Sequence, residues 1–372
     1  MINSTTPHDR HLVPLMPIAP ETRFAALACL RRIDTVDSSQ PQAVQSPLGM
    51  GRSIARALSR DQAARETAWI VSRDARDETG GQALSAAWPL RYTASARQYE
   101  RPLIYLSCST SRTSLRSAFG ETAGRGLFMN TADSVGSRWP KGVRPELPLW
   151  LAEDWSCIPY DPASGDEVGA IVRAALHALY VEGEQAYYYL SLHDAKPVGA
   201  MSSSPYLEQA HTGMYLLTCS AGEQAAGAIR LLGAGRALER VVQAAQILQR
   251  DWDVASEIWS CPSYTRLARE AALAAQCNTL DPLASPRVSR LEQCLAGRNE
   301  PIVAVTDYAP HVAAQIGACL LAPFVALGSG SQRDNMPASI EWIVLHALRA
   351  LVQQGRMPAQ CVADALDRYR LQ

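Results

Sequence analysis

The sequence predicts an α/β protein with two doubly wound domains, that is, parallel sheets covered by helices on both faces. Two observations support this fold class. Short contiguous apolar segments, typical of buried parallel strands, alternate with longer segments in which apolar residues recur at helical spacing. This strand–helix alternation occurs in two separate parts of the 372-residue chain, which are divided near residue 200 by a polar segment containing Ser-Ser-Ser-Pro.

Shifts in composition divide the sequence into three regions. Residues 1–45 are expected to form an N-terminal arm and linker, because the first twenty residues contain four prolines. A short helix is predicted inside this region at Phe24–Ile33, and a loop rich in Ser, Gln and Pro is predicted at Asp37–Gly51. Residues 46–200 and residues 201–372 are then the two α/β domains.

The first α/β domain is predicted to contain five short strands. They are Ala68–Ser72, Arg101–Cys108, Arg125–Asn130, Trp155–Pro159 and Ala186–Leu192. A helix is predicted at Ser53–Ala64, and a second one is predicted to start at Asp161-Pro162, because proline is tolerated in a first helical turn. Acidic residues directly after that proline favour the helix dipole. The segment Thr131–Pro148, which is rich in proline and glycine, is predicted to be an irregular loop.

The second α/β domain repeats the same alternation. Its predicted strands are Ala228–Gly233, Val254–Ser260, Pro301–Thr306 and Phe324–Leu327. Its predicted helices are Arg236–Asp251, Ser263–Ala274, Tyr308–Cys319 and Ser339–Gln354. Gly233-Ala234-Gly235 follows a strand but lacks the third glycine of a dinucleotide-binding motif, so we interpret it as a tight strand-to-helix turn.

Composition excludes several classes of partner. Lys and Arg total 35 and Asp and Glu total 36, so we expect no broad attraction to nucleic acid or to an anionic membrane. No apolar run approaches the ~18 residues that span a bilayer. The N-terminus has no basic segment followed by an apolar core, so no secretory signal is predicted. Nine cysteines without a CxxC pair indicate reduced thiols, and we expect a cytoplasmic protein.

Several segments of the chain resemble a known family. Tyr160–Val168 reads YDPASGDEV, and Leu231–Val254 reads LLGAGRALERVVQAAQILQRDWDV. Together with DPLASPRV at Asp281–Val288 and VTDYAP at Val305–Pro310, they resemble the C-terminal half of the homodimeric bacterial pyruvate dehydrogenase decarboxylating component, in the transketolase superfamily. The resemblance is weaker before residue 150, where Trp69–Arg76 (WIVSRDAR) is similar to a family strand that carries acidic residues near the cofactor.

The resemblance implies specific domains and cofactors. It implies a shortened thiamine-diphosphate pyrimidine-binding-like domain followed by a transketolase C-terminal-like domain, in a homodimer. The family holds the cofactor's diphosphate through Mg²⁺ with a Gly-Asp-Gly motif and a later Asn, whose oxygens suit that ion. This sequence has no Gly-Asp-Gly, since Gly165-Asp166 is followed by Glu167. We therefore expect thiamine diphosphate and Mg²⁺ to bind only with a partner subunit that carries the diphosphate-binding domain, and none to bind the isolated chain.

Histidines are missing where the family has a His-rich catalytic loop. None of the seven lies between residues 12 and 176, and that loop would fall near Asp133–Glu146. His193, at the end of a predicted strand, is the best candidate for catalysis, because histidine titrates near neutral pH. Glu78 is a second catalytic candidate, and the resemblance of Trp69–Arg76 makes Asp74 a candidate for cofactor binding. The alternative for both acids is a solvated loop of mixed charge.

A Gly/Ser loop precedes the last predicted helix. Leu327–Asn335 reads LGSGSQRDN, and its backbone amides can hold an anion. Ser331 and Arg333 are candidates for substrate or anion contact, because a guanidinium binds carboxylate or phosphate with charge-assisted hydrogen bonds. The alternative is an ordinary surface loop.

Three functional hypotheses remain open. In the first, the chain is a pyruvate dehydrogenase-like or transketolase-like subunit whose partner supplies the thiamine diphosphate–Mg²⁺ site, for two-carbon ketol or acyl transfer from a 2-keto acid or ketose. In the second, it is a catalytically silent relative, a pseudoenzyme that acts as a structural or regulatory dimer partner. In the third, it is a repurposed enzyme that works without thiamine.

Overall fold

The computed structural model describes residues 11–39, 45–72, 100–122, 124–195, 204–219, 227–330 and 336–371. The chain divides into two compact units, His11–Pro197 and, in the second half, Val198–Gln372. Each unit is built on one five-stranded sheet. Within the described ranges, no helix combines the length and the apolar character that crossing a bilayer requires.

The sheet of the first unit is parallel throughout. Its strands are β1 (Trp69–Ser72), β2 (Leu103–Ser107), β3 (Gly126–Asn130), β4 (Cys157–Tyr160) and β5 (Tyr187–Ser191). Their order across the sheet is β1-β2-β3-β5-β4. All residues of β2, β3 and β5 are buried, as the contiguous apolar segments predict for a sheet covered on both faces.

Six helices accompany this sheet in the described part of the first unit. They are α1 (Pro20–Ser39), α2 (Pro47–Arg60), α3 (Gln62–Thr67), α4 (Arg112–Gly120), α5 (Glu146–Glu153) and α6 (Gly165–His177). Helix α1 packs on α2 and α6, so residues of the predicted N-terminal region contribute to the packing of the first unit. A short π-helical segment, Ala178–Glu182, continues α6.

The sheet of the second unit is mixed. Its strands are β6 (Tyr215–Cys219), β7 (Gly227–Gly233), β8 (Val254–Ser260), β9 (Ile302–Val305) and β10 (Phe324–Leu327). Their order is β10-β9-β7-β8-β6, and only the pairing of β6 with β8 is antiparallel. The described helices are α7 (Ala237–Trp252), α8 (Tyr264–Leu280), α9 (Arg290–Leu295), α10 (His311–Ala314), α11 (Ile340–Gln353) and α12 (Gln360–Tyr369).

Several predicted element boundaries are wrong, and capping explains two of them. Helix α2 begins at Pro47, inside the predicted loop, because the Ser46 hydroxyl accepts a hydrogen bond from the Gly49 amide at 3.0 Å. Helix α6 begins at Gly165 rather than at Asp161-Pro162, because Ser164 is its N-cap. A proline fits a first turn without requiring a helix to begin there.

Other differences concern whole elements. The predicted irregular loop at Thr131–Pro148 already contains the start of α5 and two 3-10 turns. The predicted helix at Tyr308–Cys319 is reduced to α10 and a 3-10 turn at Gly317–Cys319. Strand β6 was not predicted. It lies at the edge of the sheet, and only Tyr215 and Leu217 of its five residues are buried.

Candidate functional site

The carboxyl ends of the parallel strands in the first unit form the natural place for a site, because ligands of open α/β sheets bind at that edge. Three polar residues end neighbouring strands there in register. Ser107 of β2 pairs with Asn130 of β3, and Asn130 pairs with Ser191 of β5. All three side chains are buried, so this edge carries a buried polar cluster.

Asn130 is the centre of this polar cluster. Its Oδ1 accepts from the Ser109 amide at 2.8 Å and from the Ala132 amide at 3.3 Å. Its Nδ2 donates to the Ser109 carbonyl at 2.8 Å and to the Tyr189 hydroxyl at 2.7 Å. The amide thus uses both its donors and its acceptor oxygen to join the ends of β2, β3 and β5. Sequence reasoning missed this residue, although a polar residue that ends a buried strand was a usable signal.

The loop that follows β3 contains a buried lysine, Lys141, which forms ion pairs with two aspartates. Asp133 lies in the same loop, and Asp161 lies just after β4. Lys141 Nζ lies 2.7 Å from Asp133 Oδ2 and 2.8 Å from Asp161 Oδ1. The lysine side chain is 1% exposed and the two aspartate side chains are 6% and 8% exposed. Burial of a charge without a partner is costly, so the three groups stabilise one another. No motif in the sequence marked Lys141.

The backbone of this loop is shaped to place the lysine. Lys141 has φ +55° and Gly142 has φ +70°, both in the left-handed region. A Cβ at Gly142 would overlap the Ala132 carbonyl oxygen, so glycine is required there for steric as well as conformational reasons. The segment from Asp133 to Gly142 is thus a compact turn held by ion pairs.

The segment YDPASGDEV forms the start of helix α6. The Ser164 hydroxyl accepts from the Glu167 amide at 3.2 Å, and Glu167 Oε2 accepts from the Ala163 amide at 2.6 Å. This reciprocal arrangement is similar to a capping box. The Glu167 side chain is fully buried. In the described structure, the segment that carries the resemblance acts as a helix N-terminus, with Asp161 held by Lys141 just before it.

His193 lies two residues after β5, at the same edge of the sheet. It is 2% exposed, and its backbone carbonyl accepts from the Leu48 amide at 2.9 Å. The imidazole is therefore buried. The other predicted site residues, Asp74, Glu78, Ser331 and Arg333, lie outside the described residues, so only His193 has a described position.

The carboxyl edge of the second sheet is also held by polar contacts. The guanidinium of Arg240, on α7, forms an ion pair with Asp307, just after β9. Arg240 Nε also donates to the Ala338 carbonyl at 3.0 Å. The Ser329 hydroxyl donates to the Asp307 carbonyl at 2.6 Å. These contacts connect the ends of β9 and β10 to α7 and to the start of α11.

Histidines of the second unit are shifted toward the neutral form. Burial lowers the pKa of His346, and the nearby charge of Arg349 lowers it further. Burial also lowers the pKa of His311. His346 makes an edge contact with the Trp342 ring, with the ring centroids 4.8 Å apart. These histidines therefore resist protonation in the folded protein.

The described residues do not by themselves fit thiamine diphosphate and its metal ion. In the described part of the chain, no three His, Cys, Asp or Glu side chains are grouped so that they could hold a metal. At the edge of the first sheet, Asp133 and Asp161 are bound to Lys141, and Asn130 is bound within its cluster.

Comparison with known proteins supports the resemblance seen in the sequence. Residues 213–321 match a family described as the transketolase-like TK C-terminal domain. The chain is 32% identical over 231 residues to the pyruvate dehydrogenase E1 component of Cupriavidus necator, covering 58% of this chain and 25% of that protein. It is also 32% identical over 228 residues to the Escherichia coli K12 protein of the same name. The chain thus spans about a quarter of the length of these relatives.

Solved structures give the same result for the fold. A transketolase from Leishmania mexicana matches 89% of this chain and 49% of its own, with 15% identity and a TM-score of 0.55. A chain described as a split gene transketolase, inactive beta4 tetramer, matches 83% of this chain and 99% of its own, with 11% identity and a TM-score of 0.51. The predicted α/β fold class and the resemblance to the C-terminal half of these enzymes are confirmed.

Proposed function

We propose that this chain is one subunit of a two-polypeptide, thiamine-diphosphate-dependent enzyme. A partner subunit supplies the diphosphate and Mg²⁺ site, and the complex transfers a two-carbon ketol or acyl group from a 2-keto acid or ketose. The observation that carries the proposal is the match to the split gene transketolase chain, of which 99% is covered. The sequence similarity to pyruvate dehydrogenase E1 components supports the same class of reaction.

The split arrangement accounts for the lack of a diphosphate-binding motif in this sequence. The split gene transketolase is an example in which a chain with this pair of units is a separate polypeptide, and its tetramer is described as inactive. By analogy, this chain alone is expected to be inactive. We also propose that it forms a homodimer in the cytoplasm and that this dimer binds the partner subunit.

The sequence candidates have distinct parts in this proposal. Asp74 contacts the cofactor, Glu78 and His193 serve catalysis, and Ser331 and Arg333 bind the substrate or its anionic group. A catalytic role for His193 requires the surrounding segments to open, because its side chain is 2% exposed. We therefore expect His193 to contact the substrate or a catalytic base only in the assembled complex.

Calorimetry on mixtures tests the proposal. The partner to use is a polypeptide from the same source that carries Gly-Asp-Gly followed by Asn. Titration of thiamine diphosphate with Mg²⁺ into the mixture is expected to show saturable binding, whereas each polypeptide alone binds weakly or not at all. Asp74→Asn in this chain should weaken binding by the mixture, and Glu153→Gln, at the exposed end of α5, is the control. Absence of binding by the mixture would refute the proposal.

A second function, that of a structural or regulatory relative, is favoured by one observation. The described polar groups at the edge of the first sheet satisfy one another, and Lys141 occupies both nearby aspartates. A scaffold needs no accessible chemical group there. This hypothesis predicts that Asp74→Ala and Glu78→Ala leave the activity of an associated complete dehydrogenase unchanged, whereas a large loss of activity favours the first proposal.

A further inference from the structure

A cleft in the second unit lies away from the edge where the sheet's carboxyl ends meet. It has a volume of about 690 Å³ and is formed by α8, by α9 with the turn after it, and by residues 318–322. The turn at Gly297–Asn299 precedes β9, and Ala322 precedes β10, so both lead into the amino ends of these strands. The cleft is therefore distinct from the candidate site at the carboxyl edge.

Small side chains keep this cleft open. Ala271, Ala274 and Ala275 lie at positions i, i+3 and i+4 of α8 and so share one face of the helix. A leucine at these positions would fill the space that the methyl groups leave. Leu321, which is fully exposed, extends the apolar wall at the rim. The volume and the largely apolar wall are within the range of small-molecule sites in proteins.

Two arginines line the cleft against one carboxylate, that of Glu292. Arg287 is fixed at its backbone, because Asn278 Oδ1 accepts from its amide at 2.7 Å and Asn278 Nδ2 donates to its carbonyl at 3.0 Å. Arg298 forms an ion pair with Glu257, and its side chain is 58% exposed. The Nη1 of Arg287 lies 4.0 Å from the Cys277 Sγ, so its guanidinium lies beside α8. A guanidinium suits the planar oxygens of a carboxylate, so Arg287 is the group of the cleft that would bind an anionic ligand.

We propose that this cleft binds a small amphipathic carboxylate with an unbranched apolar chain. The chain lies along the alanine face of α8, and the carboxylate meets Arg287. The site is independent of the proposed thiamine chemistry, because none of its residues lies at the carboxyl edge of either sheet.

Titration calorimetry with hexanoate, octanoate and decanoate on the full chain tests the proposal. One saturable site is expected, and affinity should rise roughly tenfold for each two added methylenes, because each methylene leaves water. Decanamide, which lacks the charge, should bind more weakly. Arg287→Gln should lower the affinity for decanoate roughly tenfold without changing that for decanamide, since it removes a charge-assisted hydrogen bond. Ala275→Phe should abolish binding of both, because the ring fills the cleft.

Matched controls separate the cleft from the general surface. Gln276→Phe places the same ring on the next residue of α8, outside the cleft, and Arg116→Gln removes an exposed arginine of α4 in the first unit. Both controls should bind as the wild type does. Binding that does not saturate, or that is unchanged in Ala275→Phe and Arg287→Gln, would overturn the proposal. It would also be overturned if no acid binds while Leu321→Asp reduces self-association in sedimentation, since the cleft is then a protein-docking surface.

Discussion

At the scale of single residues, the first unit depends on a few buried polar groups that no sequence motif marked. Lys141 and Asp133 lie in the loop after β3, and Asp161, just after β4, pairs with the same lysine. Asn130 joins three strand ends with four hydrogen bonds. Such groups are hard to find from sequence alone, because their value comes from partners that are distant along the chain.

Removal of the Lys141 charge should strongly destabilise the first unit. Lys141→Met leaves Asp133 and Asp161 buried without a counter-charge, so the free energy of unfolding is expected to fall by about 3–5 kcal/mol. Chemical denaturation followed by tryptophan fluorescence measures this loss. Arg116→Met, which removes an exposed charge on α4, should change stability by less than about 0.5 kcal/mol. If Lys141→Met lowers the free energy of unfolding no more than Arg116→Met does, the buried ion pairs do not stabilise the first unit.

Substitutions at Asn130 should show a graded loss of stability. Asn130→Asp removes both donated hydrogen bonds and buries a charge, so we expect a loss of about 2–4 kcal/mol. Tyr189→Phe removes only one hydrogen bond of this cluster and should cost about 1 kcal/mol. Urea denaturation curves of the two variants give the comparison. A larger loss for Tyr189→Phe than for Asn130→Asp would contradict the role of the amide as the centre of the cluster.

At the scale of elements, strands were predicted better than helix ends. The contiguous apolar segments Leu103–Ser107 and Ile302–Val305 identified buried strands directly, because few other structures bury every side chain in a short run. The start of α6 was predicted too early, because Pro162 suggested a first helical turn. The helix begins at Gly165, because the Ser164 side chain accepts a hydrogen bond from the Glu167 amide of the first turn. Edge strand β6 and the short α10 depend on packing against neighbours that the sequence does not reveal.

The cap of α6 gives a prediction at this scale. Ser164→Ala removes the acceptor for the Glu167 amide and should destabilise the protein by about 1 kcal/mol. Ser164→Asp keeps an acceptor and should retain most of the stability. Thermal unfolding by circular dichroism measures both. If the alanine variant matches the wild type, the YDPASGDEV segment does not act as a helix cap.

Helix α11 should make stability sensitive to acid. Because burial holds the pKa of His346 below its usual value, the unfolded chain binds a proton more readily than the folded chain. Stability is therefore full above the unfolded pKa, near 6.5, and falls as the pH drops below it. Urea midpoints at acid and neutral pH should differ less in His346→Gln than in the wild type. An unchanged difference would assign the acid sensitivity to other groups.

At the scale of the whole molecule, the sequence predicted the two-unit α/β plan and the resemblance to known enzymes, whereas four of the five candidate site residues lie outside the described structure and only His193 lies within it. The segments that carry the resemblance, Tyr160–Val168 and Leu231–Val254, form a capped helix start and a strand–turn–helix. They specify architecture. The chemical groups of the first sheet's edge that are described are engaged with one another, so function is expected to arise in an assembly.

The most direct measurement is calorimetric titration of thiamine diphosphate and Mg²⁺ into an equimolar mixture of this chain and the partner that carries Gly-Asp-Gly. Saturable binding by the mixture, with none by this chain alone, is the predicted result. Tight binding by the isolated chain, or no binding by the mixture, would contradict the proposal that this chain is one half of a two-polypeptide thiamine enzyme.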